Sequence, residues 1–222
     1  HNPSTTGTFY ARIITYTLDT GDVLSYAPGT EGSTNAQDYG GIALSTNATV
    51  NITAKVQEAL SFCVYNATCG DDPSFTIGHA VGSATVIDSS VVDTKAINFS
   101  ISTNAQSGVF VRLFGDTLKS GTNSIPAVGG TAAAIVAGTA NFGLYLSTAG
   151  TNITVVSPYT TSATTYALDT TNTTSLYGQK VASLSGPTNG SISTITYGAT
   201  ASNTTAAGTY TATHQYIATG TF

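Results

Sequence analysis

Charge is what this sequence has least of. Only 8% of its 222 residues are Asp, Glu, Lys or Arg, against about a quarter in ordinary soluble domains. The cations are four Lys and two Arg, and the net charge is −5. Neutralising a phosphate backbone takes clustered cations, so a nucleic-acid partner is excluded. The acids are scattered and form no acidic tail. No apolar run approaches the ~18–20 residues of a membrane-spanning helix, so no membrane span is expected. Met and Trp are absent, and His occurs three times. Cysteine occurs twice, as Cys63 and Cys69 in FCVYNATC. A zinc site would need more ligands nearby, and His79 is the only candidate. The pair reads instead as a disulfide closing a short loop. The chain opens at His1 rather than Met, which points to a removed secretory leader.

What the sequence has is Ser and Thr, 65 residues together, with 23 Gly and 41% hydrophobic residues. The hydrophobic residues alternate in clean runs, which excludes disorder of the whole chain. Thr, Val, Ile, Tyr and Phe suit pleated sheets. Period two is clearest over 48–64: Val50, Ile52, Ala54, Val56, Leu60, Phe62 and Val64 share one face. This predicts one long, half-buried strand. Further strands are expected at 96–103, with Ile97, Phe99 and Ile101 inward, and at 108–114. Others are expected around Phe142, Leu144 and Leu146, at Ile153 with Val155, at Ile192 with Thr194, and over 208–219. Residues 127–138 are the one place for a helical turn. Turn clusters separate the strands at short spacing. The expected fold is all-β, an antiparallel immunoglobulin-like or jelly-roll sandwich over residues 46–222.

Residues 1–45 differ in character. TFYARIITYTL, 8–18, is apolar on both faces. Phe9, Ala11 and Ile13 point one way; Tyr10, Ile14, Tyr16 and Leu18 point the other. The stretch 19–45 is polar and turn-rich, a tether. The expectation is an N-terminal extension strand that completes the sheet of a neighbouring copy, although an ordinary first strand gives the same pattern. Head-to-tail addition of this kind does not close on itself and produces a filament.

Three segments carry a resemblance: VNITAKVQEALSFCVYNATCG (50–70), INFSISTNAQSGVFVRLFGDTLKSGTNSIPAVGGTAAA with ANFGLYL (97–134 and 140–146), and YGQKVASLSGPTNGSISTITYGATASNTTAAGTYTATHQYIATGTF (177–222). They resemble secreted β-rich surface proteins of candidate-phyla-radiation bacteria (Patescibacteria, including Saccharibacteria). The likeness implies a cell-surface or extracellular location, and its FCV…CG pattern matches Cys63 and Cys69. By architecture alone, the chain is also similar to fibre subunits that polymerise by donor-strand complementation.

No residue pattern builds an enzyme. An N-terminal His1 with His79 or His214 would suit copper, as in polysaccharide monooxygenases, but the flanking motifs are missing. There is no G-x-S-x-G elbow, and neither His79 nor His214 has an acidic sequence neighbour. Asp71 with Asp72, and Asp88 with Asp93, offer too few oxygens for calcium and read as solvated turns. Lys55 and Glu58 fall on opposite strand faces, which disfavours an isopeptide bond between them. No cofactor or metal is expected. Eight N-x-S/T sequons, at Asn47, Asn51, Asn66, Asn98, Asn152, Asn172, Asn189 and Asn203, are candidate N-glycan acceptors. Tyr10, Tyr16, Tyr210 and Tyr216 in the terminal strands suit sheet packing or an interface. The function expected is a secreted structural subunit of a surface filament or pilus. Its first partner is itself, as a head-to-tail homopolymer, with host-cell or matrix surfaces as further partners. The alternative is a monomeric adhesin or carbohydrate-binding sandwich.

Overall fold

The structure is a computed structural model and describes residues 5–16, 36–47, 50–148, 150–159 and 164–222. The chain divides into two compact units, His1–Lys55 and Val56–Phe222. In the first, β1 (Gly7–Tyr16) and β2 (Ala36–Thr46) form an antiparallel pair. Phe9 lies opposite Leu44, and Ala11 opposite Ile42, so one face of the ribbon is apolar. The Thr46 hydroxyl accepts from the Gly7 amide at 3.1 Å and closes its open end.

The second unit holds two antiparallel sheets and a set of short hairpins. The strands are β3 (Leu60–Tyr65), β4 (His79–Val81), β5 (Ala84–Val86), β6 (Asp93–Thr103), β7 (Val109–Gly115), β8 (Lys119–Ser120), β9 (Asn123–Ser124), β10 (Gly129–Ala133), β11 (Asn141–Thr148), β12 (Ile153–Val155), β13 (Tyr166–Leu168), β14 (Gln179–Leu184), β15 (Thr188–Thr200) and β16 (His214–Gly220). One helical turn, α1 (Thr170–Thr173), is capped by the Asp169 carboxylate, which accepts from the Asn172 amide. The larger sheet runs β10-β13-β11-β15-β6-β3, and the smaller runs β12-β14-β7-β16. The fold is a β-sandwich, as the alternation of apolar residues implies.

The core fills the space between the sheets. Phe99 and Ile101 of β6, Ile195 of β15 and Leu144 and Leu146 of β11 are wholly buried from one side. Val109, Val111 and Leu113 of β7, with Val181 of β14, are wholly buried from the other. Alternate residues of each strand reach this layer because successive side chains point to opposite faces. The β6–β7 turn needs Gly108: its φ is +84°, and a Cβ there would sit 1.8 Å from the Leu184 carbonyl oxygen.

Several sequence expectations need correction. The long strand over 48–64 is only six residues, Leu60–Tyr65. Leu60 pairs with Thr103, the last residue of β6, so the sheet offers residues 50–59 no ladder partner. Residues 36–46, expected within a polar tether, form β2; its Gly40-Gly41 pair hid the alternation of Ile42 and Leu44. Residues 127–138 contain β10 and no helical turn. In β15 the inward positions are Ser191, Ser193, Ile195 and Tyr197, so Ile192 faces outward and is 36% exposed. The last strand begins at His214, not at 208. Cys63 and Cys69 are disulfide-bonded, with Cα atoms 5.8 Å apart.

Phe99→Ala should destabilise the sandwich by about 3–5 kcal/mol, the range for emptying a buried aromatic site. Replacing both cysteines by Ser should cost about 2 kcal/mol, the loop-closure value for so short a loop. Urea unfolding of each variant against the parent measures both, and a loss below about 1 kcal/mol for Phe99→Ala would contradict the assigned core.

Candidate functional site

A sandwich must cover the inward faces of its outermost strands. Here β3 ends the larger sheet and β16 ends the smaller one. Among the described residues neither has a strand on its outer side. Phe62 and Val64 of β3, and Tyr216 and Ala218 of β16, pack against the core yet stay half-buried. Between these strands opens a groove of about 1070 Å³. Ile97, Phe142 and Tyr197 lie deep in it; Phe75, Ile77 and Ile87 form one wall, and residues 201–213 form the other. Asp88 is the one formally charged side chain among its lining residues apart from His214.

The polar atoms at the inner end of the groove are committed to one another. His214 Nε2 lies 2.9 Å from the Asp116 carbonyl oxygen, which only accepts, so that nitrogen carries the proton. Nδ1 therefore accepts, and the Tyr197 hydroxyl 3.0 Å away donates to it. The Tyr197 oxygen in turn accepts from the Tyr216 hydroxyl at 2.8 Å. Burial pushes the His214 pKa down, and the same cause pushes both phenols up. This chain of bonds keeps the imidazole neutral and leaves neither of its nitrogens for a metal or a substrate.

His79, without an acidic neighbour in sequence, has two in space. Its Nδ1 lies 3.0 Å from Asp93 Oδ2, and its Nε2 lies 3.5 Å from Asp88 Oδ2. Ser90 Oγ donates to Asp88 at 2.6 Å. A hydrolytic triad needs a nucleophile at the imidazole nitrogen opposite the orienting acid. A second carboxylate occupies that place here, so the cluster is a clasp joining the β4–β5 hairpin to the start of β6. The hydrogen bond His79 donates to Asp93, followed by the charges of Asp93 and Asp88, raises the His79 pKa.

The other sequence candidates are placed as follows. Phe9, Tyr10, Ala11 and Ile13 stand on β1, where Tyr10 is 80% and Ile13 is 71% exposed. Ile14 and Tyr16 are seen through their backbone pairing with Tyr39 and Ala36. Leu18 and His1 lie outside the described residues. Asp71 accepts from the Thr68 and Ala67 amides and Asp72 from Ser74, so both carboxylates shape a turn. Lys119 pairs with Asp116, and Lys180 sits 3.8 Å over the Phe110 ring. Among the sequons, Asn47, Asn51, Asn152, Asn172, Asn189 and Asn203 are exposed, and Asn66 and Asn98 are half-buried. The amides of Asn66 and Asn172 donate to Asp72 and Asp169, respectively. Tyr210 and Tyr216 line the groove. Phe75, Ile77 and Ile87 did not stand out in the sequence, because their alternation is broken across short turns.

No family model, no curated protein and no solved structure matches the chain.

The clasp has a sign that can be checked. A raised folded pKa means that the His79 contribution is fully present below the unfolded value of 6.5 and is lost as pH rises through the folded value. His214 has the opposite sign, opposing folding as pH falls below 6.5. The thermal midpoint of the parent minus that of His79→Gln isolates the clasp. It should be positive near about pH 5.5 and shrink towards about pH 8.5. A difference that is flat or grows with pH would contradict the assignment.

Proposed function

We propose that the chain is the repeating structural subunit of an extracellular filament, each subunit lending an apolar strand to the sandwich of the next. The observation that carries this reading is the groove between β3 and β16. It is reached by Val64 of β3 and by Tyr216 of β16, the outermost strands of the two sheets, and it opens onto the core residues Ile97, Phe142 and Tyr197. An added strand supplies main-chain hydrogen bonds to such an edge and side chains to such a groove. An edge left open would be a site of indiscriminate pairing.

The N-terminal unit supports the same reading. A two-stranded ribbon is marginal by itself in water, and this one exposes Tyr10, Ile13, Ile42 and Leu44. Such a surface calls for a partner. The extracellular placement rests on the Cys63–Cys69 disulfide, the scarcity of charge and the resemblance to secreted surface proteins. A sugar-binding reading fits less well. Tyr197 and Phe142 are 3% and 4% exposed, whereas a carbohydrate platform needs rings laid open to solvent.

Electron microscopy of the purified full chain tests the proposal. Unbranched filaments with a regular subunit repeat are expected, with light scattering that rises above a critical concentration. A monodisperse monomer up to about millimolar concentration, where an effective strand exchange with even a ~1 μM Kd would be saturated, would overturn it.

A further inference from the structure

Residues 50–57 belong to no sheet or helix. Their alternation is as regular as that of any buried strand: Val50, Ile52, Ala54 and Val56 on one side, Asn51, Thr53, Lys55 and Gln57 on the other. Yet Val50, Ile52 and Val56 are 80%, 88% and 80% exposed. A period-two pattern normally records a strand with one buried face. In the described residues of this chain that burying surface is missing.

The root of the ribbon is fixed. Asn104, in the β6–β7 turn, donates from Nδ2 to the Gln57 carbonyl at 2.7 Å and accepts at Oδ1 from the Ala59 amide at 2.8 Å. The Thr103 hydroxyl adds a bond to the Ala59 carbonyl at 3.0 Å. Residues 57–59 thus continue the line of β3 past the end of its partner β6. The groove lies towards the other end of the same strands. It is lined by Val64 near the end of β3, by residues 73–77 beyond it, and by His214 at the start of β16, whose partner is Gly115 at the end of β7. The ribbon's root at residues 57–59 and the groove therefore lie towards opposite ends of the same strands.

We infer that residues 50–57 of one subunit are the strand that enters the β3–β16 groove of the next. This rests on the filament reading and names its donor. Val50 to Val56 is seven residues, the length of β16, or about 24 Å of extended chain. The ribbon's one charged side chain is Lys55, and the groove's carboxylate is Asp88, held ionised chiefly by its bonds from Ser90. The signs are complementary. β1 is less suited, because one of its edges is already paired with β2 over its whole length. A donor rooted at one end of β3 and an acceptor groove towards the other give a heterologous contact that propagates without closing.

The full chain, Ile52→Asp/Val56→Asp and Ile13→Asp separate the possibilities. The two ribbon positions are exposed, so the double variant should keep the parent's thermal midpoint. Burying an aliphatic side chain in each subunit contact favours assembly strongly. Two acids there should raise the critical concentration at least ~100-fold, while Ile13→Asp leaves it within about threefold. Amides 51–57 should also become protected from hydrogen exchange on assembly. If the double variant assembles like the parent, or Ile13→Asp alone abolishes assembly, or amides 51–57 exchange freely in the filament, residues 50–57 are not the donor and the filament reading stands. If the parent never assembles, both fall.

Discussion

Two sheets can bury a common core only as far as their outermost strands are covered, and everything distinctive about this molecule follows from where that cover stops. The middle of the sandwich is closed: Phe99, Ile101, Val111 and Leu144 are fully buried. At β3 and β16 the same core comes to the surface. A closed barrel would remove the problem by pairing its first and last strands. Here the strands that would do so diverge around a groove, and the loops that flank it are apolar enough to extend the core but not to seal it. The proposed filament is the oligomeric form of closure, with a strand from elsewhere doing what the chain does not do for itself.

The polar chemistry near the groove is structural in the same sense. Among the described residues, no fully buried side-chain nitrogen or oxygen lacks a hydrogen-bond partner. The His214–Tyr197–Tyr216 chain satisfies its donors and acceptors in sequence, and the His79 clasp ties a hairpin to β6. Both are arrangements in which each titratable group already faces a committed partner. Neither presents a poised base to an open space, which is what general acid–base chemistry would require.

Much of the sandwich was legible from side-chain alternation alone. Ile97, Phe99 and Ile101, and Phe142, Leu144 and Leu146, announced their strands because a half-buried strand writes a period of two. The same signal misled at residues 50–59, where the alternation is real but the partner is not in the sheet. Periodicity reports that a face is suited to burial; it does not say by what. β2 was hidden by its paired glycines; β15 was marked by Ile192 and Thr194, but its inward positions, Ser191 and Ser193, are small polar residues that do not announce a buried face. The groove was the least legible part. Its walls come from segments distant in sequence, and Asn104, which sets the direction of the ribbon, is an ordinary turn residue until its amide is seen bonding to Gln57 and Ala59.

The Asn104 anchorage also fixes a load path. In the proposed filament, tension entering at residues 57–59 would run along β3 and be resisted by the β3–β6 ladder, whose six residue pairs from Leu60–Thr103 to Tyr65–Asn98 would be loaded in shear together instead of being unzipped one at a time. Lifetime under force is set by the rate of unfolding, not by equilibrium stability. Cys63, within that strand, is bonded to Cys69 just beyond it, which limits how far the chain could pay out if the ladder slipped. In such a filament, a chain with few ion pairs would draw its resistance to pulling from the geometry in which its backbone is loaded.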